Sequence, residues 1–147
     1  MSLSTECAAA LLSYRYASYL RIFFVYFLAD ICNNYKTLQD ATRKYNYVAK
    51  NKRCDNLNGW YRFKGASGTK MVRKCPQRAR CDTNFPAWLS EGHPTVAAGT
   101  VTRKVCINRK EDCCYGSVFI KVKNCGSYYI YKLTSPPFCN VRYCSTD

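Results

Sequence analysis

The chain has 147 residues, with 23 Lys and Arg against 9 Asp and Glu, 11 Cys and a single His. Its hydrophobic content of 48% is enough for a core and excludes a disordered basic tail. One His excludes a His-rich metal site and leaves any Ser-His or Cys-His catalysis resting on His93 alone, and no apolar run is long enough for an ordinary membrane-spanning helix.

In chain order, residues 1–29 differ from the rest. Arg15 and Arg21 precede a short apolar stretch, 22–29, which predicts a secretory signal, either cleaved after Ala29 or retained as an anchor. Membrane contact is expected only through that segment if it is uncleaved. Without it, residues 30–147 hold 21 basic and 8 acidic residues, a net charge of +13. Within 36–49, Leu38, Ala41, Tyr45 and Val48 recur three, four and three apart. That spacing predicts one short amphipathic helix with Lys36, Asp40, Arg43 and Lys44 toward water. Residues 51–58 read as a polar turn. Residues 60–64 alternate as a strand, 65–68 turn tightly, and 69–74 form the expected hairpin partner. Residues 82–99, with Pro86, Gly92, Pro94 and Gly99, predict a long irregular connection, and 101–107 a strand. In 118–123, Val118, Ile120 and Val122 face one side while Lys121 and Lys123 face the other. With a turn at Cys125-Gly126 and a strand over 128–133, this predicts a half-buried antiparallel hairpin, ended by Pro136 and Pro137. The expected fold is a single small disulfide-rich α+β domain over 30–147. It is mostly antiparallel β, with one short N-terminal helix and long irregular connections.

Cys7 precedes the apolar stretch; the other ten cysteines spread over 32–144. An even number in a secreted segment predicts five disulfides, each typically adding ~2–4 kcal/mol by restricting the unfolded chain. Zinc is disfavoured because no Cys-x-x-Cys pair occurs and Cys113-Cys114 adjacency suits two different bridge partners better than one ion. Asp55, Asp82, Glu91 and Asp112 are too scattered for a calcium loop. No metal or cofactor is expected. Spacing alone leaves the connectivity open.

Several strings, taken together and in order, carry a resemblance. They are Cys54-Asp55 with Gly59-Trp60-Tyr61-Arg62-Phe63, then Cys75 and Cys81, then Pro86-Ala87-Trp88-Leu89 with His93-Pro94. Cys113-Cys114, Val122-Lys123-Asn124-Cys125 and Tyr128-Tyr129-Ile130-Tyr131-Lys132-Leu133 follow, and the series closes on Cys139-Asn140-Val141-Arg142-Tyr143-Cys144. From about Tyr35 to Cys144 the chain resembles the ten-cysteine domain of the uromodulin family, which includes the pancreatic zymogen-granule membrane glycoprotein and liver-derived secreted homologues. The resemblance implies the pairs Cys32 with Cys125, Cys54 with Cys139, Cys75 with Cys113, Cys81 with Cys144, and Cys106 with Cys114. It also implies an extracellular, non-catalytic module that usually sits beside EGF-like repeats or ahead of a polymerising zona pellucida module. Neither is expected here, because the sequence stops three residues after Cys144. No Asn-x-Ser/Thr occurs in 1–147, so sugar chains on Asn, which some members display to bacterial adhesins, are excluded for these residues.

The residues left to weigh are few. Trp60, Tyr61 and Phe63 read as core rather than as a sugar platform, and one or more of Tyr128, Tyr129 and Tyr131 is expected at the surface. His93 reads as structural, since no Gly-x-Ser-x-Gly string or free nucleophile accompanies it. The basic residues fall into three chain segments: Lys50, Lys52 and Arg53; Lys70, Arg73, Lys74, Arg78 and Arg80; and Arg103, Lys104, Arg109 and Lys110. The last two groups are the candidate polyanion-binding residues. A field of this sign attracts extracellular glycans, matrix or microbial surfaces, and no nucleic-acid-binding motif is present. The expected function is a secreted, non-catalytic binding or adhesion module contacting glycans or other polyanions through a basic, Tyr-rich surface. The alternative is a cationic, disulfide-stapled host-defence effector acting on microbial surfaces.

Overall fold

The alternation of Val118, Ile120 and Val122 with Phe119, Lys121 and Lys123 sets the architecture, because period two sends one set to a buried face and the other to water. These residues lie in the longest strand of a computed structural model that describes residues 31–110 and 112–147, and Ala17 and Tyr19 nearer the N-terminus. The expected secretory signal, 1–29, otherwise lies outside the described residues. Residues 31–34 group with an N-terminal unit; the architecture below is that of the second unit, Tyr35–Asp147.

Nine strands follow in order: β1 Lys36–Leu38, β2 Asn58–Phe63, β3 Lys70–Met71, β4 Phe85–Leu89, β5 Thr100–Arg109, β6 Asp112–Asn124, β7 Tyr129–Thr134, β8 Val141–Tyr143 and β9 Ser145–Thr146. Seven form one sheet in the order β1-β2-β7-β6-β5-β4-β8, while β3 and β9 pair as a second small sheet. The β5–β6 hairpin is the spine, with Val105 opposite Val118 and Val101 opposite Val122. The β6–β7 hairpin places Val122 opposite Tyr131. Its turn is closed by Cys125 N–H to the Tyr128 carbonyl (2.8 Å) and Gly126 N–H to Asn124 Oδ1 (2.8 Å), with Gly126 at φ 93°. Both sheet edges are parallel pairs, β1 on β2 and β8 on β4.

The inner face carries Phe63, Leu89, Val105, Ile107, Val122, Tyr131, Leu133, Val141 and Tyr143, all essentially buried. Each such large side chain contributes about 1.5–3 kcal/mol on leaving water. Beside this apolar layer sits an ionic one. Arg43 donates to both Asp55 oxygens (2.9 and 2.6 Å), and Asp55 also accepts the Tyr143 N–H (2.9 Å). Arg142 reaches Asp40 at 2.8 Å and Asp55 at 3.7 Å. The cluster fastens the segment around residue 40 to β8.

Three expectations on the fold are corrected. The helix over 36–49 is absent, and so is the α part of the fold class: among residues 31–147 as described there is no α-helix, only two 3₁₀ turns, Ala41–Arg43 and Gly65–Ser67. Leu38 ends a strand instead, and Tyr45 and Val48 are exposed. The buried residue is Arg43, which the spacing placed toward water. Asp40 caps the turn by accepting the Thr42 N–H (2.9 Å), and the pull of Asp55 on Arg43 outweighs a helix of weak formers such as Thr, Tyr, Asn and Val. The strand within 69–74 is only Lys70–Met71 and pairs with β9 rather than with β2. The connection 82–99 contains β4, in which Pro86 lies just outside the β4–β5 ladder that begins at Ala87, so its missing N–H breaks no bond there.

Candidate interaction surface

The outer face of the large sheet follows from the same register. Trp60 lies opposite Lys132, Lys132 opposite Lys121, and Lys121 opposite Thr102. In the adjacent rows Phe119 faces Lys104, and Lys123 faces Ile130. Lys121 and Lys132 are exposed, Lys104 and Lys123 are half-buried, and Phe119 is 69% exposed. Among the described residues none of these four ammonium groups has a carboxylate within ion-pair distance. Glu91 accepts the backbone N–H of Lys104. Like charges directly opposite on neighbouring strands destabilise a sheet, so the Lys121–Lys132 pair is held at a cost that an anion placed between them would remove.

One end of this face carries a tyrosine–arginine stack. The Arg62 guanidinium lies 3.8 Å over the Tyr128 ring, and its Nη1 donates to the Tyr35 hydroxyl at 3.0 Å. The Arg62 hydrogen bond holds the Tyr35 phenol below its ordinary pKa, while burial pushes that of Tyr128 up. Of the aromatics weighed from the sequence, Tyr61, Phe63 and Tyr131 are buried, whereas Trp60, Tyr128 and Tyr129 are half-buried.

The basic groups that were contiguous in the chain are scattered by the fold. Arg53 is engaged by Asp40 (2.9 Å) and Asp82 (3.1 Å). Lys70, Arg73 and Arg103 surround His93. Lys74, Arg78 and Arg80 border two adjoining clefts beside residues 75–77. Arg109 lies among the Tyr115, Phe85 and Phe138 rings at 5.0, 5.1 and 5.7 Å, and Lys110 is exposed at a turn with φ 53°. Only Lys104 belongs to the sheet face. The set Lys121, Lys123, Lys132 and Phe119 was missed as a set. The signal was there, since pairing across a Cys125-Gly126 turn brings residue 121 opposite 132 once the register is fixed.

His93 is engaged rather than free. Tyr131 Oη accepts the Met71 N–H (3.0 Å) and shares a second hydrogen bond with His93 Nε2, 2.8 Å away. The imidazole also stacks on Tyr129, with centroids 4.4 Å apart. Burial, with Lys70, Arg73 and Arg103 nearby, pulls its pKa down to about 4, so the ring is neutral at pH 7 with Nε2 already occupied. Among the described residues no cluster of three His, Cys, Asp or Glu is placed to hold a metal, and no helix is long and apolar enough to cross a membrane.

Most of the cysteines in the described residues are cross-linked. Cys75–Cys113, Cys81–Cys144 and Cys106–Cys114 are bridged, and Cys32 and Cys125 are each disulfide-bonded. Cys54 and Cys139 are exposed and unbridged. Their side chains are in hydrogen-bond contact, and that contact raises the Cys139 thiol pKa.

A sequence-family profile described as a uromodulin-like domain matches residues 61–145. The chain is 41% identical over 121 residues to pancreatic secretory granule membrane major glycoprotein GP2 of Rattus norvegicus, covering 79% of the chain and 23% of that protein. It is 43% identical over 118 residues to uromodulin of Mus musculus, covering 79% and 18%. To the Homo sapiens GP2 it is 38% identical over 118 residues, covering 79% and 22%. The chain therefore spans about a fifth of the length of these relatives.

Proposed function

The chain belongs to the uromodulin-like domain family, and from that premise we propose that it is a non-catalytic binding module whose sheet face takes an extended extracellular polyanion, a sulfated or carboxylated glycan. It is a secreted, extracellular, cysteine-rich module, as its relatives are. The observation that carries the proposal is the unpaired lysine row. Lys121 and Lys132 oppose each other, Lys104 and Lys123 flank them, and exposed Phe119 offers an apolar contact to a sugar ring. Strand spacing near 5 Å and a side-chain repeat near 7 Å give a lattice of charges suited to a repeating anionic chain rather than to one small ion.

The test is retention on immobilised heparin. The wild-type chain is expected to elute well above physiological salt, and a Lys121→Glu/Lys132→Glu double variant to elute substantially earlier with an unchanged melting temperature. Elution of the wild type at or below physiological salt, or an unchanged position for the variant, removes the reading. The Cys54–Cys139 pairing implied by the resemblance is part of the same proposal. The two side chains already touch, and the secreted protein is expected to show no free thiol within 30–147 when alkylated and weighed.

A further inference from the structure

A second group of cations lies on the other side of the large sheet from the lysine row. Arg103 is paired with Ile120 and stands two residues before the buried Val105, so it shares the inner face with Tyr131 rather than the outer face with Lys121. Residues 92–94 lie against this face: His93 stacks on Tyr129, and the Asn124 amide donates to the Pro94 carbonyl at 3.0 Å. Arg103 Nε donates to the Gly92 carbonyl at 2.7 Å and its Nη1 to the Thr102 carbonyl at 3.1 Å. The segment 70–73 reaches the same point. The Met71 N–H bonds to Tyr131 Oη, the hydroxyl that also meets His93 Nε2, and the Leu89 N–H bonds to the Val72 carbonyl at 2.9 Å. The Arg73 guanidinium lies so near Gly92 that a Cβ on that residue would sit 4.0 Å from its Cζ and Nη1. Lys70, Arg73 and Arg103 thus gather around His93. Among the described residues none of the three is within ion-pair distance of a carboxylate. Glu91, the acid of the same segment as His93, accepts the Lys104 N–H instead. Like charges collected beside a half-buried ring repel one another, and an anion among them removes that cost.

We infer that Lys70, Arg73 and Arg103 hold one sulfate or phosphate monoester group beside the His93 ring. Three cations around one point suit a tetrahedral oxyanion, whose three terminal oxygens can each take a charge-assisted bond, better than a carboxylate with two. The bond from Arg103 to Gly92 fixes one guanidinium in advance, and its Nη2 is left for the ligand. Lys70, His93 and Arg103 are half-buried and Arg73 is exposed, so the group enters from solvent. The His93 ring reports occupancy. It faces Lys70 and Arg73 from one side, Arg103 from β5, and Tyr129 and Tyr131 from β7, with Glu91 two residues before it. An anion seated there offsets the three positive charges and lets the imidazole take up a proton more readily. The site shares no residue with the lysine face, and it does not rest on the polyanion reading.

The experiment is an NMR titration of the oxidised full chain, followed at the His93 ring protons and the backbone N–H of Gly92. Glucose 6-sulfate and glucose 6-phosphate are the two probes, with glucuronate and sodium chloride at matched ionic strength as controls. Saturable shifts with at least one monoester are expected, and the tighter of the two assigns the source of the group. With saturating glucose 6-sulfate the His93 titration is expected to move up by about one pH unit, which by linkage means about tenfold tighter binding once the ring is protonated. Arg73→Ala and Lys70→Ala are each expected to weaken binding about tenfold through loss of one charge-assisted contact. Arg73 is exposed and Lys70 half-buried, and neither side chain makes an ion pair among the described residues, so the fold survives these changes. The Lys121→Glu/Lys132→Glu variant is expected to keep the shifts whatever its heparin retention. No saturable shift at His93 with either monoester, equal saturation by glucuronate or chloride, or undiminished binding by Arg73→Ala and Lys70→Ala each overturns the inference.

Discussion

Asp55 is the buried centre of the ionic layer, and its removal is expected to be severe. Its carboxylate accepts Arg43 Nη1 and Nη2 at 2.9 and 2.6 Å and the Tyr143 N–H at 2.9 Å, and Arg142 Nε lies 3.7 Å away. Asp55→Ala therefore leaves a buried guanidinium, 7% exposed in its side chain, without its counter-ion, and orphans the backbone N–H of a buried strand residue. Breaking a buried pair from one side costs about 3–5 kcal/mol, and the orphaned N–H adds about 1–3 kcal/mol. A domain of this size has about 5–15 kcal/mol in hand, so Asp55→Ala is expected to lose most of it. Asp55→Asn retains an acceptor but no charge, and is expected to fall between. Lys44→Ala is the control. It removes an ion pair to Asp147 whose side chains are 31% and 74% exposed, which is worth about 0–1 kcal/mol. Urea unfolding of the bridged protein measures all three, with secretion yield as the readout if Asp55→Ala does not accumulate. An Asp55→Ala cost no greater than that of Lys44→Ala refutes this reasoning.

Two further outcomes are expected. His93 has its folded pKa drawn from 6.5 down to about 4. Its contribution is therefore complete above pH 6.5 and is lost as pH falls toward 4, because the unfolded chain takes up the proton first. Between pH 7 and 4.5 the full linkage is about 2.5 kcal/mol, reduced to about 1–2 kcal/mol by solvent reaching the half-buried ring. Asp40 and Asp82 are held below the usual carboxylate range, against burial, by bonds from Arg142 and Thr42 and from the Asn51 and Lys50 N–H groups. Their contribution disappears only at lower pH, so His93→Phe is expected to flatten the stability profile between pH 4.5 and 6.5 and nowhere else. Gly68 has φ 87°, and a Cβ there meets the backbone of Thr146, whereas Gly126 at φ 93° has open space around it. Gly68→Ala is therefore expected to cost more than the roughly 1–2 kcal/mol of left-handed strain expected for Gly126→Ala. Faster amide exchange at Thr69, whose N–H is bonded to the Thr146 carbonyl, is the accompanying signature.

The strands at the centre of the sheet were legible because their evidence is local. Val118, Ile120 and Val122 alternate with Phe119, Lys121 and Lys123, and the turn that joins β6 to β7 follows directly at Cys125-Gly126. The edges were not legible. β1, β8 and β9 are two or three residues long and are defined by partners 25 or more positions distant, as Leu38 is by Phe63 and Ser145 by Met71. The false helix over 36–49 has the same origin. Leu38, Ala41, Tyr45 and Val48 keep a helical spacing, but Arg43 is drawn in by Asp55 and Lys44 bridges to Ser145, contacts that no window of that length contains. The candidate site followed the same rule. Grouping cations by chain position united Arg103, Arg109 and Lys110 with Lys104, which the fold separates. It also left out Lys121 and Lys132, which the register joins.

The lysine face is best understood through what happens to the acids. All six carboxylates in the described residues are committed: Asp40, Asp55, Asp82 and Asp147 to ion pairs, Glu91 and Asp112 to the N–H groups of Lys104 and Cys114. Three of them, Asp40, Asp55 and Asp82, lie where the segment around residues 40–55 packs on β8 and the Cys81 turn. There they lock that segment to the sheet, and none of the six faces Lys121, Lys123 or Lys132 in an ion pair. Positive charge kept only for solubility has no need of this arrangement, since it works as well when spread and alternated in sign. Here cation is set against cation across a strand pair, beside a large exposed aromatic ring, on a sheet whose rigidity comes from bridges and buried ion pairs elsewhere. A rigid array of unneutralised charge loses little conformational freedom when a polyanion lies across it, and the proposed polyanion binding rests on that separation of scaffold from surface.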